Sequence, residues 1–95
     1  IIKSNPDSYW SYINRGNAYL KLNKYDEALS DYNSAIKLNP NLAIAYLERG
    51  IFYATVKKDY NQAIFDFDKS LKMNYYFAEA YLYRGLAYAE TKNYR

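Results

Sequence analysis

The chain has 95 residues, 51% of them apolar, with three glycines, two prolines and a formal net charge of +3. This composition predicts a folded domain rather than a disordered one, and the small charge without a like-charge block disfavours a nucleic-acid-binding surface. The absence of cysteine and histidine from the sequence removes disulfides, thiolate chemistry and the commonest general base and metal ligand. Neither catalysis nor a cofactor is therefore expected, and no apolar run approaches the roughly 20 residues of a membrane span.

Apolar and aromatic side chains recur at intervals of three and four residues in five segments, the spacing of helices that bury one face. Asp7 and Ser8 are candidate N-caps for the first helix, and Asp59 with Gln62 three residues later resembles a capping box. Pro40 disfavours helix at the residue before it and so separates two segments. The predicted helices cover, in order, about 8–22, 25–38, 41–56, 60–73 and 76–90.

An eight-residue phrase, Tyr-x-x-Arg-Gly-x-x-Tyr, occurs three times, around Gly16, Gly50 and Gly85. The glycines lie 34 residues apart (16 to 50) and then 35 residues apart (50 to 85), with the extra residue in the connection 57–59. A fixed period of this length predicts stacked repeats, in which each unit contacts only its neighbours. The predicted units are the tail of a preceding repeat at 1–6, one repeat at 7–40, a second at 41–75, and the first helix and turn of a third at 76–95.

These residues resemble the tetratricopeptide repeat family. Its pattern is an aromatic residue, Gly four residues later and Tyr three after that, followed by a small residue and an aromatic residue on the second helix. The second unit departs from the pattern with Ser70 in place of a small Ala and Tyr75 in place of Pro. The first unit matches at Tyr12, Gly16, Tyr19, Ala28, Tyr32, Ala35 and Pro40. The resemblance implies an all-α solenoid of antiparallel helix pairs, wound as a right-handed superhelix of five helices, that binds a protein or peptide as an adaptor or scaffold.

The residue before each glycine is Arg, where the family most often has an apolar residue. Arg15 and Arg49 are each matched by an acid on the second helix, Asp31 and Asp66, immediately before the aromatic residue. We predict that each unit contains an ion pair, Arg15–Asp31 in the first and Arg49–Asp66 in the second. The alternative is that these arginines bind a ligand.

Glycine in a helix interior costs about 1 kcal/mol relative to Ala, so three glycines in register require a packing reason. We expect the aromatic residue of the paired helix, Tyr32 or Phe67, to pack over the bare glycine backbone. The tyrosines of the phrase are accordingly interpreted as core residues.

In this family the first helix of each unit lines the concave face, and the resemblance carries that role to the residues around each glycine. The resulting surface is largely aliphatic, which suits a helix or an extended peptide. The alternative is that the rest of a parent protein covers it. The predicted groove residues are Trp10, Ile13, Asn17, Leu20, Ile44, Leu47, Glu48, Ile51, Glu79, Leu82, Tyr83 and Leu86.

One subset of the family grips the C-terminal carboxylates of chaperone tails with a clamp of Lys, Asn and Arg residues. The equivalent positions here hold Ile13, Asn17, Glu48, Glu79 and Tyr83, and of these only Asn17 fits the clamp. Two of the five carry negative charge, which repels a carboxylate. Binding of chaperone tails is therefore not expected.

Two other functions compete with that of a protein-binding adaptor. A non-catalytic repeat segment that recruits substrate to a larger enzyme is the main alternative, whereas RNA binding by a related repeat is disfavoured by the small charge. No membrane contact is predicted, and the sequence leaves the cell compartment undetermined. The fifth helix has no partner, so we expect copies to associate through the uncovered face around Tyr81, Gly85 and Tyr88.

Overall fold

The computed structural model describes residues 8–74 and 76–91. Within these ranges the chain is mainly helical, without a strand, and forms the predicted α-solenoid of five antiparallel helices. Each helix packs mainly against a helix adjacent to it in the chain, and none in the described ranges has the length and apolar character needed to cross a bilayer. The elements are α1 (Tyr9–Lys21), α2 (Tyr25–Leu38), α3 (Ala43–Phe52), a π-helix (Tyr53–Lys57), α4 (Tyr60–Met73) and α5 (Ala78–Thr91).

Side-chain caps fix the starts of α1 and α4. The Ser8 hydroxyl accepts a hydrogen bond from the Ser11 N–H at 3.2 Å, and the Asp59 carboxylate accepts one from the Gln62 N–H at 3.2 Å. The predicted capping box is only half formed, because the Gln62 amide donates to Asp66 at 3.4 Å instead of to the Asp59 backbone. Asp7, the other candidate cap, lies outside the described residues, as do the tail at 1–6 and Tyr75.

Helices α3 and α5 start two residues later than the sequence predicts. In each case an asparagine that follows the preceding helix forms a side-chain turn. The Asn39 side chain accepts from the Asn41 N–H at 3.1 Å, and the Asn74 side chain accepts from the Tyr76 N–H at 3.2 Å. Such Asx-turns compete with helix, so the chain enters the helix only after them.

The extra residue of the second unit is absorbed at the end of its first helix. The predicted α-helix to Val56 gives way at Tyr53 to a π-helix, whose hydrogen bonds span one more residue than those of an α-helix. Lys58 then adopts a left-handed conformation with φ of 56°, and the Asp59 N–H donates to the Tyr53 carbonyl at 2.9 Å. Helix α4 thereby starts at the same position relative to α3 as α2 does relative to α1.

The core is distributed along the stack as three clusters of buried residues, each made by neighbouring helices. The first cluster joins α1, α2 and α3, the second joins α2 to α3, and the third joins α3, α4 and α5. Their buried members are Ile13, Ala35 and Ala45; Ala28, Tyr32 and Phe52; and Leu47, Ala63, Phe67, Leu71, Ala80 and Ala87. This arrangement is the one expected of a repeat stack.

Two of the three glycines lie directly against an aromatic ring of the paired helix. A Cβ atom added at Gly16 would lie 2.9 Å from Cε1 of Tyr32, and one added at Gly50 would lie 2.6 Å from Cε1 of Phe67. The predicted packing of these rings over bare backbone is therefore confirmed. Around Gly85, no described atom other than those of the adjoining helix backbone lies within 4 Å of the corresponding point.

Candidate functional site

The arginines of the first two units point to the second helix of their own unit. Arg15 donates through Nε and Nη2 to the two carboxylate oxygens of Asp31, at 2.9 and 2.8 Å. Arg49 makes the same bidentate contact with Asp66, at 2.9 and 2.7 Å, and its Nη1 donates to Asn33 at 2.9 Å. The sequence predicts both pairs, and with their donors engaged in this way these arginines connect helices rather than line the groove.

The two ion pairs differ in their exposure to solvent. Asp66 is fully buried and the Arg49 side chain is 17% exposed, whereas the Arg15 side chain is 58% exposed. Burial raises the pKa of the Asp66 carboxyl, although its hydrogen bonds from Arg49 and Gln62 act in the opposite direction. Loss of one partner is therefore expected to cost more stability in the Arg49–Asp66 pair than in the Arg15–Asp31 pair.

The structure places two predicted groove residues in the core, so their assignment to the groove is wrong. Ile13 is 3% exposed and packs with Ala35 and Ala45, while Leu47 is 2% exposed and packs with core residues of α4 and α5. The side chain three residues before the glycine is therefore enclosed by the following helices. Leu82 has the same register on α5, where it is 59% exposed.

The other ten predicted groove residues are at least partly accessible. They come from α1, α3 and α5, the first helices of the three units. Trp10, Glu79, Leu82 and Leu86 are exposed, and Asn17, Leu20, Ile44, Glu48, Ile51 and Tyr83 are half-buried. We refer to these ten residues as the groove surface.

A polar network at the centre of the groove surface joins residues from both repeats. The Tyr32 hydroxyl, reaching from α2, donates to the Asn17 side-chain oxygen at 2.5 Å. Burial raises the pKa of Glu48, the nearby charge of Glu79 raises it further, and a hydrogen bond with Asn17 opposes both. Sequence reasoning missed the part played by Tyr32. The available signal was the hydroxyl that distinguishes it from Phe67, its counterpart in the next unit.

The groove surface ends in a cleft of about 250 Å³ next to the π-helix. Two groove residues, Tyr83 and Leu86, line it together with Tyr60 and with one charge of each sign, Lys58 and Glu90. Within residues 8–74 and 76–91, no three acidic side chains come together in a way that could hold a metal ion. The groove surface thus offers a ligand apolar side chains together with the two carboxylates of Glu48 and Glu79.

Replacing Glu48 by Gln is expected to stabilise the fold at neutral pH. Because the pKa of Glu48 is raised on folding, the folded state holds a proton that the unfolded chain releases, and stability falls as pH rises through the raised pKa. Gln removes the buried charge and its repulsion by Glu79. Urea unfolding should show a gain at about pH 7 that is smaller at about pH 4, where the carboxyl is largely neutral. A variant no more stable than the parent at neutral pH would contradict this.

Comparison with known proteins identifies the same repeat. Residues 9–42 match the family model of the tetratricopeptide repeat. Over 49 residues the chain is 41% identical to the Protein SGT1 homolog of Oryza sativa subsp. japonica, a match that covers 52% of this chain and 13% of that protein. The chain therefore spans only a small part of that relative.

Solved structures share the fold over nearly the whole chain. The crystal structure of MamA matches with a TM-score of 0.85 and 28% identity, over 92% of this chain and 50% of that one. The first TPR of Spaghetti (RPAP3), bound to the HSP90 peptide SRMEEVD, matches with a TM-score of 0.85 and 25% identity, over 97% and 72%. The Arabidopsis OM64 TPR domain matches with a TM-score of 0.82 and 28% identity, over 88% and 69%.

Three observations agree on the family. The phrase around each glycine recurs in register, the glycines of the two complete helix pairs pack against an aromatic ring, and the fold is that of the solved repeat proteins. The match of residues 9–42 to the family model covers the first of these units. Residues 9–42 form a tetratricopeptide repeat, and the described part of the chain has the fold of solved tetratricopeptide repeat domains.

Proposed function

We propose that this chain binds a protein or peptide through its groove surface, as an adaptor or scaffold module without catalytic activity of its own. The observation that carries the proposal is the accessible apolar strip on the first helices, where Trp10, Leu82 and Leu86 are each at least half exposed. A contiguous apolar surface on a folded protein is typical of an interaction site, and the first helices supply exposed apolar side chains for one. A solved neighbour with the same fold holds a peptide, which supports this class of function.

We propose further that the ligand is not an acidic chaperone tail. The peptide held by the solved neighbour, SRMEEVD, carries three acidic side chains, whereas Glu48 and Glu79 place negative charge on the groove surface here. Two like charges about 4 Å apart repel each other by about 1 kcal/mol in bulk water and by about 4 kcal/mol near a protein surface. Ile13, at the position of a clamp lysine, is buried and offers a ligand neither charge nor access.

The alternative is that the chain is the non-catalytic repeat segment of a larger enzyme and uses the same groove surface to recruit substrate. The identity of the captured partner distinguishes the two roles, because a substrate-recruiting segment captures the substrate of the enzyme to which it is attached. We propose no nucleic-acid ligand for either role, because the charges of the groove surface are negative.

Capture of a partner by the full-length protein tests the site. Leu82→Arg and Leu86→Arg are expected to abolish capture and to leave the fold intact, since both side chains are exposed on α5. Phe65→Arg is the matched control, because Phe65 on α4 is 53% exposed and lies outside the groove surface. Leu47→Arg is unsuitable because Leu47 is buried. Equal loss of the partner with Phe65→Arg, or retention with both leucine variants, would refute the groove as the binding site.

Direct titration with the peptide SRMEEVD tests the charge argument. The parent chain should show no saturation up to about 1 mM, a limit that corresponds to about −4 kcal/mol of binding energy. The double change Glu48→Asn and Glu79→Lys removes both negative charges and should bring measurable binding at low salt. Saturable binding of SRMEEVD to the parent at micromolar concentration would overturn the exclusion.

Weak self-association is a separate proposal, supported by the apolar side chains that α5 exposes. Sedimentation equilibrium at about 1 mM tests it, since contacts of millimolar strength are populated only at such concentrations. A clean monomer under these conditions would rule it out.

A further inference from the structure

Two acidic side chains of the groove surface lack the arginine partners that the buried acids of this chain have. Asp31 and Asp66 each accept two hydrogen bonds from an arginine. Glu48 is half-buried, yet neither it nor Glu79 forms an ion pair with any described lysine or arginine. A charge withdrawn from water costs free energy unless an opposite charge or hydrogen bonds replace the lost solvent. The groove surface therefore contains negative charge that the described chain does not neutralise.

The two carboxylates come from different helices and lie close enough to repel each other. Glu48 lies on α3 and Glu79 lies in the first turn of α5, and the charge of Glu79 raises the pKa of Glu48. The positive end of the α5 dipole favours the ionised form of Glu79. A position between the two carboxylates is therefore favourable for a cation and unfavourable for an anion.

Glu48 is also held by a hydrogen bond from the first repeat. The Tyr32 hydroxyl donates to the side-chain oxygen of Asn17 at 2.5 Å. The amide nitrogen of Asn17 is thereby left to donate to Glu48, its other hydrogen-bond partner. A carboxylate has about four acceptor sites, so one amide donor satisfies only part of it. The carboxylate of Glu48 is thus positioned by the fold and retains acceptor sites for a ligand.

Apolar groups adjoin both carboxylates. On α3, Ile44 and Ile51 lie four residues before and three residues after Glu48, which places them on the same face of the helix. On α5, Tyr83 lies four residues after Glu79 and is likewise its neighbour. All three apolar side chains are half-buried and therefore still accessible. Lysine and arginine have an apolar stem and a charged end, and this surface suits both parts of such a side chain.

We propose that the ligand of the groove surface presents a lysine or arginine flanked by apolar residues, and that this basic side chain binds between Glu48 and Glu79. The inference rests on the proposed function, since it names the class of peptide that the groove surface takes. It goes beyond the exclusion of acidic peptides, which a neutral apolar peptide would satisfy equally well. It also explains why the chain keeps an acid that is expected to cost stability, because the ligand supplies the missing counter-charge.

Selection of short random peptides displayed on phage tests the proposal without a known ligand. The full chain is the target, and peptides that bind it but do not bind Leu86→Arg are the groove ligands. We expect these peptides to share a lysine or arginine between apolar residues. Groove ligands that are acidic or purely apolar would overturn the inference and leave the proposed function standing. A library that yields no groove ligand would overturn the proposed function and this inference with it.

A double-mutant cycle on one selected peptide assigns the contact. Replacing its basic residue by methionine should weaken binding to the parent at least tenfold, or about 1.4 kcal/mol. In the double variant Glu48→Gln, Glu79→Gln the same replacement should change the affinity by less than about twofold, since no charge remains for the basic residue to meet. Glu27→Gln is the matched control and should retain the full loss, because Glu27 is exposed on α2 outside the groove surface. A tenfold loss that persists in the double variant would place the basic residue elsewhere and overturn the proposal.

Discussion

Gly50→Ala should destabilise the fold whereas Gly85→Ala should stabilise it, although both glycines occupy the same place in the repeated phrase. Ala is favoured over Gly in a helix by about 1 kcal/mol, and at Gly85 nothing opposes this gain. At Gly50 the new Cβ would lie 2.6 Å from the fully buried ring of Phe67. Overpacking of a core typically costs about 1–3 kcal/mol, which exceeds the gain in helix propensity where the neighbour cannot move, so a net loss is expected.

Urea unfolding of the two variants measures both effects. Gly16→Ala is the internal comparison, because its Cβ would lie 2.9 Å from the Tyr32 ring, and movement of that ring would strain the hydrogen bond to Asn17. We expect a loss at Gly16 that is smaller than the loss at Gly50. Stabilisation by all three changes would show that the rings yield and that the close approach is not what selects glycine.

Asp66→Ala should be the most damaging of three equivalent changes, at about 3–5 kcal/mol, because it leaves Arg49 largely buried without its counter-charge. Asp31→Ala should cost less, since the exposed guanidinium of Arg15 can be hydrated instead. Asp68→Ala removes an exposed pair with Arg84 and should change stability by less than about 1 kcal/mol.

A variant that lacks both charges distinguishes the cost of leaving Arg49 unpaired from the cost of lost packing. Combining Asp66→Leu with Arg49→Met removes both charges, and we expect it to recover much of the stability that Asp66→Ala loses. A double variant as unstable as the single one would attribute the cost to packing. Equal costs for Asp66→Ala and Asp68→Ala would show that burial does not govern these pairs.

The helices and the contacts within each unit could be predicted because they depend on spacing along the chain. The arginine before each glycine and the aspartate before each ring recur with the period, so their pairing follows once two helices are antiparallel. The same reasoning placed Tyr32 and Phe67 over Gly16 and Gly50. Such contacts need only the relation between consecutive helices.

Contacts between units could not be predicted in the same way. Whether Ile13 and Leu47 face the groove or the next unit depends on how far one helix pair is rotated against another, which no spacing within a unit fixes. The network of Tyr32, Asn17 and Glu48 likewise joins three helices and needs that rotation. The turns after Asn39 depend on a side-chain hydrogen bond whose geometry a helical pattern does not carry.

The π-helix at Tyr53–Lys57 shows how the stack can tolerate a change in repeat length. One residue added inside α4 would turn every later side chain of that helix by about 100° around its axis, which would take Phe67 away from Gly50. An addition that is taken up before the second helix begins leaves that helix in phase. Insertions at the turn within a unit are therefore open to evolutionary drift, and insertions inside the second helix are not.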